Sequence, residues 1–464
     1  MARGTRQEES VEELCRLAAK LAGFDPDERV ERQGNKPWPR WCEYRQDVQN
    51  KLAHEKSIAA AVALEPAAQA AQYANAPLVV FGEHEDSTLL QMRNCLSIGN
   101  TVAGVICADG HLGYAQPVGG VIAYEDQISI SGVGFDIGCG NMAVELDVTY
   151  GSIKDRVPQI LSDIRKYVSF GVGRVNDERV HHDLFDDNIA WLAADMEDYK
   201  NKARAQLGTV GSGNHYVDLM IDTTPIDNPE FGGTYEDCRV WIGVHFGSRG
   251  LGHTSATKYL KAAGGRDGMH VPPAVVDVDS EIGTRYVAAM NLAGRYAYAG
   301  REWVVDRVRQ LTGGSVLQSI HNHHNYAWQE QHNDKMLWVV RKGATPAFPG
   351  QKGFIGGSMG DDAVIVEGVD SSASKSALYS TIHGAGRLFS RSAAKRAFSR
   401  SQMDEWLKSR NVLVSGGDVD ESPMAYRRLP EVLAHHDGTV RVLHTLRPFA
   451  VAMAGNDEFD PFKD

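Results

Sequence analysis

From about residue 78 onwards, short apolar runs alternate with glycine turns, and this pattern constrains the fold more than any other feature of the chain. The stretch "TVAGVICADGHLGYAQPVGGVIAYEDQISISGVGFDIGCGNMAVELDV" repeats it several times. β-Branched residues bounded by glycine are typical of strands and the turns between them. Further strands are predicted at "RVWIGVHFG", "KMLWVVRKG" and "DAVIVEG". Most of the chain is therefore expected to be built on β-sheets.

Helical patterns are interspersed with these strands at 152–167, 185–206, 278–311 and 386–409. Such a mixed order indicates an α+β fold, with helices around mixed sheets, rather than regular βαβ winding. Neither an internal repeat nor a long linker interrupts it, so we expect residues 78–464 to form one large domain.

The first part of the chain has a different residue pattern. "SVEELCRLAAKLAGF" carries apolar residues at helical spacing, and "HEKSIAAAVALEPAAQAAQYA" is rich in alanine, a strong helix former. These patterns predict a helical N-terminal extension over residues 1–77.

Composition excludes several classes of protein. No run of 18 apolar residues is present, so no membrane association is predicted, and the chain does not start with the apolar segment of a secretory signal. The net charge of −12 argues against a protein covered in phosphate-binding surface, although a local basic groove remains compatible with it. Six cysteines without paired spacing are typical of a reduced compartment, which predicts a cytoplasmic location.

Several segments place a metal-binding or nucleophilic side chain beside glycine or another small residue. They are "GFDIGCGN" (Asp136, Cys139), "GSGNHY" (His215), "GVHFGSRG" (His245), "HNHHNYA" (His321, His323, His324) and "TIHGAGR" (His383). A carboxylate, a thiolate and imidazoles from such loops would form one or two divalent metal sites, suited to zinc, iron or manganese. Taken singly, each segment fits an ordinary turn or a buried histidine equally well, and the histidine run fits a surface cluster.

Other loops are suited to phosphate. Glycine-rich turns at 211–215 and 356–360 expose backbone N–H groups, and Arg341 and Lys342 end a predicted strand. Neither loop matches a P-loop or a dinucleotide fingerprint. After His383, the cations Arg387, Arg391 and Lys395 recur every four residues, which predicts the basic face of a helix with Phe389, Ala393 and Ala397 packed inward. Such a face is either ordinary solvated surface or a surface that binds phosphate groups.

Taken together, these motifs resemble the RtcB family of GTP- and manganese-dependent RNA-splicing ligases. The matching segments run in order over roughly residues 105 to 455: "DGHLGYAQPVGG", "GVGFDIGCGN", "GSGNHYVDL", "HFGSRGLG", "HHNYA", "RKGATPAFPGQKGFIGGSMG", "TIHGAGRLFSRSAAKR" and "DVDESPMAYRRL". The resemblance implies that the large domain is an RtcB-like RNA ligase catalytic domain.

The resemblance also assigns roles to individual residues. It implies that Asp136, Cys139, His215, His245 and His324 bind two manganese ions, with Cys139 between them. His383 matches the histidine that becomes guanylylated, and Asp109 matches the acidic residue near the first motif. The GTP contacts implied are Asn214, Asn325, Ser358, Ala385, Gly386 and Arg387.

The reaction implied joins an RNA 3′-phosphate or 2′,3′-cyclic phosphate end to a 5′-hydroxyl end, through a GMP–histidine intermediate and an RNA 3′-guanylate. Partners would be tRNA halves or other cleaved RNA, in tRNA splicing or RNA repair, and the basic stripe after His383 would hold the RNA backbone. Whether an activating protein partner is needed stays open. Two rival functions fit the residues: a dinuclear-metal phosphohydrolase such as a cyclic phosphodiesterase, which would not need His383, and a non-catalytic RNA-binding module.

Two positions depart from the family pattern. Met453 stands six residues after "TLR", where the family carries a lysine that contacts guanine, so the preference for GTP is expected to be altered. Phe246 replaces a small polar residue, and we expect it to narrow the site beside His245.

Overall fold

The computed structural model describes residues 76–228 and 230–455, together with the backbone of 29–30 and 38–39. The chain divides into two compact units, Met1–Ala67 and Ala68–Asp464. In the first unit, strand β1 (Arg29–Val30) pairs antiparallel with β2 (Trp38–Pro39). The rest of the predicted helical extension, up to residue 75, lies outside the described residues, and the domain boundary at 77/78 stays a prediction.

The second unit is built mainly from strands. In chain order they are β3 (Leu78–Val80), β4 (Thr101–His111), β5 (Val118–Tyr124), β6 (Gln127–Ser129), β7 (Gly140–Thr149), β8 (Tyr216–Asp222), β9 (Arg239–Phe246), β10 (Val275–Asp277), β11 (Val316–His323), β12 (Asn325–His332), β13 (Lys335–Lys342), β14 (Ala344–Pro346), β15 (Lys352–Ile355), β16 (Ala363–Gly368), β17 (Ser380–Ile382), β18 (Leu413–Ser415) and β19 (Val440–Met453).

Helices lie between these strands. The α-helices of the described residues are α1 (Asp86–Leu96), α2 (Ile130–Val133), α3 (Tyr150–Ile153), α4 (Val157–Tyr167), α5 (Asn188–Ala193), α6 (Lys200–Gln206), α7 (Arg249–Ala262), α8 (Glu281–Thr312), α9 (Ser372–Ser376), α10 (Arg391–Ala397), α11 (Arg400–Ser409) and α12 (Leu429–Ala434).

Two sheets organise the described part of this unit. The larger has the order β11-β7-β9-β8-β19-β16-β15, with β18 added parallel to β19. The pairs along the main path of this sheet are antiparallel. The second sheet has the order β12-β13-β5-β4-β3, and β14 pairs with β17 beside it. The expected α+β architecture of mixed sheets with surrounding helices is confirmed.

The long helix α8 packs against the larger sheet and fills much of the core. Its residues Tyr286, Met290 and Tyr296 are fully buried. Ser280 caps its first turn by accepting a hydrogen bond from the N–H of Gly283, and Gly313 ends it at a φ of +85°, a backbone conformation that favours glycine. The sequence pattern predicted this helix correctly over 278–311.

Two other segments that were each predicted to form one continuous helix form two shorter helices. The segment predicted over 185–206 contains α5 and α6 separated by a turn, and the one over 386–409 contains α10 and α11. Each break has a local cause: Asp195 has a φ of +49°, and Ser399 begins α11 as an N-cap whose side chain accepts from the N–H of Gln402. Polar residues at these breaks therefore interrupt helices that the apolar spacing alone predicts to be continuous.

No helix among the described residues combines the length and the apolar character that crossing a bilayer requires. The cysteines of the described part (Cys95, Cys107, Cys139 and Cys238) are buried free thiols, as their scattered spacing predicts. Cys15 and Cys42 lie outside the described residues.

Candidate active site

Four of the predicted metal ligands lie at one end of the larger sheet. Cys139 directly precedes β7 and His215 directly precedes β8, whereas His245 lies near the end of β9 and His324 follows β11. Because β11, β7, β9 and β8 are neighbours and antiparallel, the starts of two of these strands and the ends of the other two meet at the same edge. The fold thus gathers side chains that are far apart in sequence.

The ligand atoms of these residues are close together. The Cys139 Sγ lies 3.3 Å from His245 Nε2 and 3.7 Å from His215 Nε2. His245 Nε2 is 3.3 Å from His324 Nε2, and His215 Nε2 is 3.1 Å from Asp136 Oδ2. Two overlapping groups result, Cys139–His245–His324 and Asp136–Cys139–His215, and the thiol belongs to both.

Backbone carbonyls fix the orientation of two of the imidazoles. His245 Nδ1 donates to the carbonyl of Asn214 at 2.9 Å. His215 Nδ1 lies 2.9 Å from the carbonyl of Val210, closer than the 3.3 Å that separates it from the Arg249 guanidinium. A carbonyl can only accept, so each Nδ1 carries the proton and each Nε2 directs its lone pair at the cluster. Neutral imidazoles held in this way are suited to binding a metal.

The electrostatics of the cluster agree with this arrangement. Burial lowers the pKa of His245 to about 3, and burial together with the neighbouring His383 holds the pKa of His324 well below its usual range. Desolvation opposes the charge on Asp136, yet the hydrogen bond to His215 and the field of Arg249 lower its pKa to about 2. Burial raises the pKa of the Cys139 thiol. The site therefore combines neutral imidazoles, a carboxylate and a thiol that loses its proton when it binds a metal.

This donor set fits a divalent metal ion. The Cys139, His215, His245 and His324 side chains are buried, and the buried His324 Nδ1 has no hydrogen-bond partner within the described structure. A carboxylate, a thiolate and several imidazoles are ligands of zinc, iron and manganese alike. The other two histidines of the "HNHH" run are outside both groups, because His321 and His323 contact the Arg301 guanidinium instead.

His383 follows β17 and faces the metal cluster. Its Nδ1 lies 2.6 Å from Asp109 Oδ2, and the same oxygen accepts from the backbone N–H of His383 at 2.9 Å. The ring lies 4.8 Å from that of His324, centroid to centroid. Burial opposes ionisation of Asp109, but the interactions with His383 outweigh it and lower the pKa of the carboxyl. Asp109 thus holds a proton at Nδ1 and leaves the lone pair on Nε2.

A cavity of about 850 Å³ is lined by every residue to which the resemblance assigns a role in catalysis, nucleotide binding or metal binding. It is lined by Asp136, Cys139, Asn214, His215, His245, His324, Asn325, Ser358, His383, Ala385, Gly386 and Arg387, among others. Asp109 lies behind the wall of this cavity and is fully buried. A space of this size accommodates a nucleoside triphosphate.

Several of the predicted GTP contacts also shape the cavity wall. Asn325 accepts from the N–H of Gly343 at 2.7 Å, and Ser358 donates to Asp361 at 2.8 Å. Gly386, with a φ of +76°, lies against the carbonyl of Asp109, where a side chain would collide. Arg387 donates to Tyr426 Oη at 2.8 Å. Their roles toward a nucleotide stay predictions.

The expected basic stripe has a different geometry. Arg387 precedes α10, so it does not share a helical face with Arg391 and Lys395. Arg391 forms ion pairs with Asp420 and Glu421, and Lys395 lies 2.6 Å from Asp418. Acidic side chains from 418–421 thus neutralise the cations.

The packing of α10 also differs from the prediction. Ala394 is its buried residue, whereas Ala397 is exposed and Ala393 and Phe389 are only partly buried. The break before the helix rotates a different alanine toward the core.

The two departures from the family pattern have separate outcomes. The prediction that Phe246 narrows the site is wrong: successive residues of a strand point to opposite faces, so His245 faces the cavity while Phe246 is buried in the core with Val304 and Val305. Met453 does line the cavity, and it is buried with Met359 and Val451 in an apolar cluster.

Three residues of the site were not assigned from sequence. Asp218, on β8, lines the cavity with a buried Oδ1 that has no hydrogen-bond partner among the described residues, and burial raises its pKa well above the usual range. Lys342, flagged only as a strand-end cation, lines the cavity, and burial lowers its pKa to about 8. Arg301 contacts the backbone beneath the metal cluster. A charged residue inside an apolar run was the available signal for Asp218 and Arg301.

Comparison with known proteins agrees with this geometry. The sequence model of the family described as tRNA-splicing ligase RtcB matches residues 91–454. The chain belongs to the RtcB family. The match spans the strands that carry the metal cluster, the loop of His383 and the strand that ends at Met453, so the family covers the whole candidate site.

Individual RtcB proteins are similar over most of their length. The tRNA-splicing ligase RtcB of Nanoarchaeum equitans is 31% identical over 437 residues, which cover 79% of this chain and 91% of that protein. The protein of the same name from Thermococcus kodakarensis is 30% identical over 441 residues, with the same coverage of 79% and 91%. The RNA-splicing ligase RtcB of Escherichia coli K12 is 30% identical over 373 residues, covering 74% and 88%.

Proposed function

We propose that the protein is an RNA ligase that joins an RNA 3′-phosphate or 2′,3′-cyclic phosphate end to a 5′-hydroxyl end, with GTP as cosubstrate and two manganese ions as cofactors. One observation carries the proposal. The cluster of Cys139, histidines and Asp136 and a histidine held by a buried carboxylate line the same cavity. A phosphohydrolase needs the cluster alone, so it leaves the His383–Asp109 pair without a role.

In the first step, His383 Nε2 attacks the α-phosphorus of GTP. The new N–P bond forms as the bond to the β-phosphate oxygen breaks, and pyrophosphate leaves. Asp109 supports this attack, because it holds the proton at Nδ1, fixes the ring and stabilises the positive charge that the ring acquires. The product is a GMP–histidine phosphoramidate.

Two further transfers complete the reaction. An oxygen of the RNA 3′-phosphate attacks the phosphorus of the phosphoramidate, and His383 leaves as a neutral imidazole. The oxygen of the 5′-hydroxyl at the second RNA end then attacks the phosphorus of the 3′-phosphate. The anhydride bond to GMP breaks as the phosphodiester forms, GMP leaves, and the hydroxyl proton passes to solvent. A 2′,3′-cyclic phosphate is first opened by water, so that a 3′-phosphate is available.

Metal ions would be held by the two overlapping groups, with Asp136 and His215 on one side of Cys139 and His245 and His324 on the other. Bound there, divalent ions neutralise the phosphate charges and act as Lewis acids. The pinned Nδ1 atoms of His215 and His245 keep their Nε2 lone pairs directed into the cluster.

The nucleobase would occupy the part of the cavity formed by Tyr216, Asp218, Met359 and Met453. Apolar side chains offer a surface for the faces of a base, and the buried Asp218 carboxyl is positioned to bond to its edge. The RNA would be tRNA halves or other cleaved RNA, and the cytoplasmic location stays a prediction.

A ligation assay tests this function. One oligoribonucleotide ends in a 2′,3′-cyclic phosphate and a second, labelled strand begins with a 5′-hydroxyl, incubated with Mn²⁺ and GTP. We expect a joined strand from the wild type and none from His383→Ala. His444→Ala is the matched control, because His444 also pairs with a carboxylate, Asp222 at 2.8 Å, and is absent from the cavity wall. Opening of the cyclic phosphate without joining would contradict the proposal and favour the phosphohydrolase.

A further inference from the structure

Arg301 is a fully buried cation in the middle of α8. Burial of a guanidinium is costly unless its N–H groups are bonded. Its Nε donates to His321 Nε2 at 2.8 Å, and one Nη donates to the carbonyl of Gly138 at 2.9 Å and to that of Phe246. The other Nη lies 2.9 Å from His323 Nδ1, a nitrogen that is equally close to the Gly138 carbonyl.

Three of these four partners have a common position in the chain. Gly138 precedes Cys139, Phe246 follows His245, and His323 precedes His324. Each is one residue away from a member of the group Cys139–His245–His324. A single guanidinium therefore contacts all three segments that carry this group, through a backbone carbonyl in two of them and through the His323 ring in the third.

The other group is held by different contacts. His215 is oriented by the Val210 carbonyl, and its ring lies 3.3 Å from the guanidinium of Arg249. Arg301 has no hydrogen bond to the residues directly beside Asp136 or His215 among those the structure describes. The hydrogen bonds of Arg301 therefore support the segments of the group Cys139–His245–His324 and not those of the other group.

The positive charge of Arg301 also lies beside the group of Cys139, His245 and His324. Within the described part of the chain no carboxylate forms an ion pair with it, whereas the equally buried Arg341 is bonded to both oxygens of Glu330 at 2.6 and 3.0 Å. Burial lowers the pKa of Arg301 to about 10, so it stays a cation at neutral pH. A negative charge on Cys139, which the thiol acquires when it binds a metal, acts in the opposite direction and raises the pKa of Arg301.

We propose that Arg301 is a positioning residue for metal binding by Cys139, His245 and His324. It would not touch the ion; it holds the backbone beside Cys139 and His245 and the ring of His323 beside His324, and it places a fixed positive charge behind the thiolate. This inference rests on the metal role in the proposed function. Groups behind metal ligands typically contribute 10- to 100-fold to metal affinity.

The test measures metal uptake and does not depend on ligation. Wild type, Arg301→Lys, Arg301→Met and the control Arg341→Lys are purified without metal and titrated with Co²⁺, with bound ions counted by equilibrium dialysis and absorption spectra recorded. Thermal unfolding of the metal-free proteins identifies variants that fold. Arg301→Lys keeps the charge but cannot bond to all four partners. If Arg301→Met does not fold, the Co²⁺ titration of Arg301→Lys alone decides the test.

We expect two ions per wild-type chain, and one of them to bind about 10- to 100-fold more weakly in Arg301→Lys. Arg341→Lys should bind both as the wild type does. Wild-type affinity for both ions in a folded Arg301→Lys, or equal weakening in Arg341→Lys, would overturn the positioning role. A wild type that takes up no ion would instead overturn the metal role in the proposed function.

Discussion

His383 Nδ1 lies 2.6 Å from the Oδ2 of Asp109, a carboxylate that is fully buried behind the cavity wall. The same oxygen accepts from the backbone N–H groups of His383 and Gly384, at 2.9 and 3.3 Å. This arrangement fixes both the ring and the loop that carries it. It gives the ring a defined tautomer and leaves Nε2 available for the nucleophilic role that we propose.

The first prediction concerns this pair. Asp109→Asn should lower the rate of guanylylation by about 100-fold or more, because an amide cannot stabilise the charged ring and permits the wrong tautomer. The asparagine oxygen still accepts from the backbone N–H groups, so the metal-free protein should fold. Single-turnover labelling with GTP measures the rate, and thermal unfolding checks the fold. An unchanged labelling rate in the folded variant would remove Asp109 from the mechanism.

The second prediction concerns Gly247, whose backbone lies against the Asp136 carboxylate. An added Cβ there would overlap the carboxylate oxygens. Gly247→Ala should therefore displace Asp136 and weaken metal binding at the Asp136–Cys139–His215 group by about 10-fold or more. Gly353→Ala is the control, because its new Cβ would meet the Thr345 methyl at 3.2 Å, and neither residue lines the cavity. Equal Co²⁺ binding by both variants would contradict the assignment of Asp136.

The third prediction concerns the nucleobase. Asp218→Ala should raise the KM for GTP by about 10-fold, since the carboxyl that bonds to the base edge is lost, and leave the number of bound metal ions unchanged. Met453→Lys should place a cation near Asp218 and raise the preference for GTP over ATP. Guanylylation measured across the four nucleoside triphosphates checks both variants. If neither variant changes this preference, the base does not bind beside Asp218 and Met453.

The fourth prediction concerns pH and lies away from the cavity. The hydrogen bond to Asp222 raises the pKa of His444 above its ordinary value of 6.5. A raised pKa stabilises the fold fully below the ordinary value, and the gain disappears as the pH rises through the folded-state pKa. His444→Gln should therefore lose at most about 1 kcal/mol of unfolding free energy near pH 5.5 and nothing near pH 9. Urea unfolding at both pH values measures this, and a loss that grows with pH would contradict it.

Much of this protein follows from local sequence patterns. The alternation of apolar runs with glycine predicted β7 and β9, two of the four strands that carry the cluster, and the spacing along 278–311 predicted α8. The motifs also placed His383, Cys139 and the other site residues in segments that the fold gathers around one cavity.

Other features depend on contacts between distant segments. Nothing in the local pattern states that Glu421 neutralises Arg391, or that Arg301 joins three ligand segments. The error at Phe246 had a different origin. That prediction follows from comparison with the family alone, whereas alternation along β9 directs the side chain of Phe246 away from the cavity that His245 lines.

The proposed mechanism requires His383 to carry GMP, and labelling with GTP that is radioactive at its α-phosphate tests this most directly. With Mn²⁺, the wild type and His444→Ala should retain label in a bond that acid cleaves and alkali does not, whereas His383→Ala should retain none. Label on His383→Ala, or an unlabelled wild type with every divalent metal tried, would contradict this role of His383.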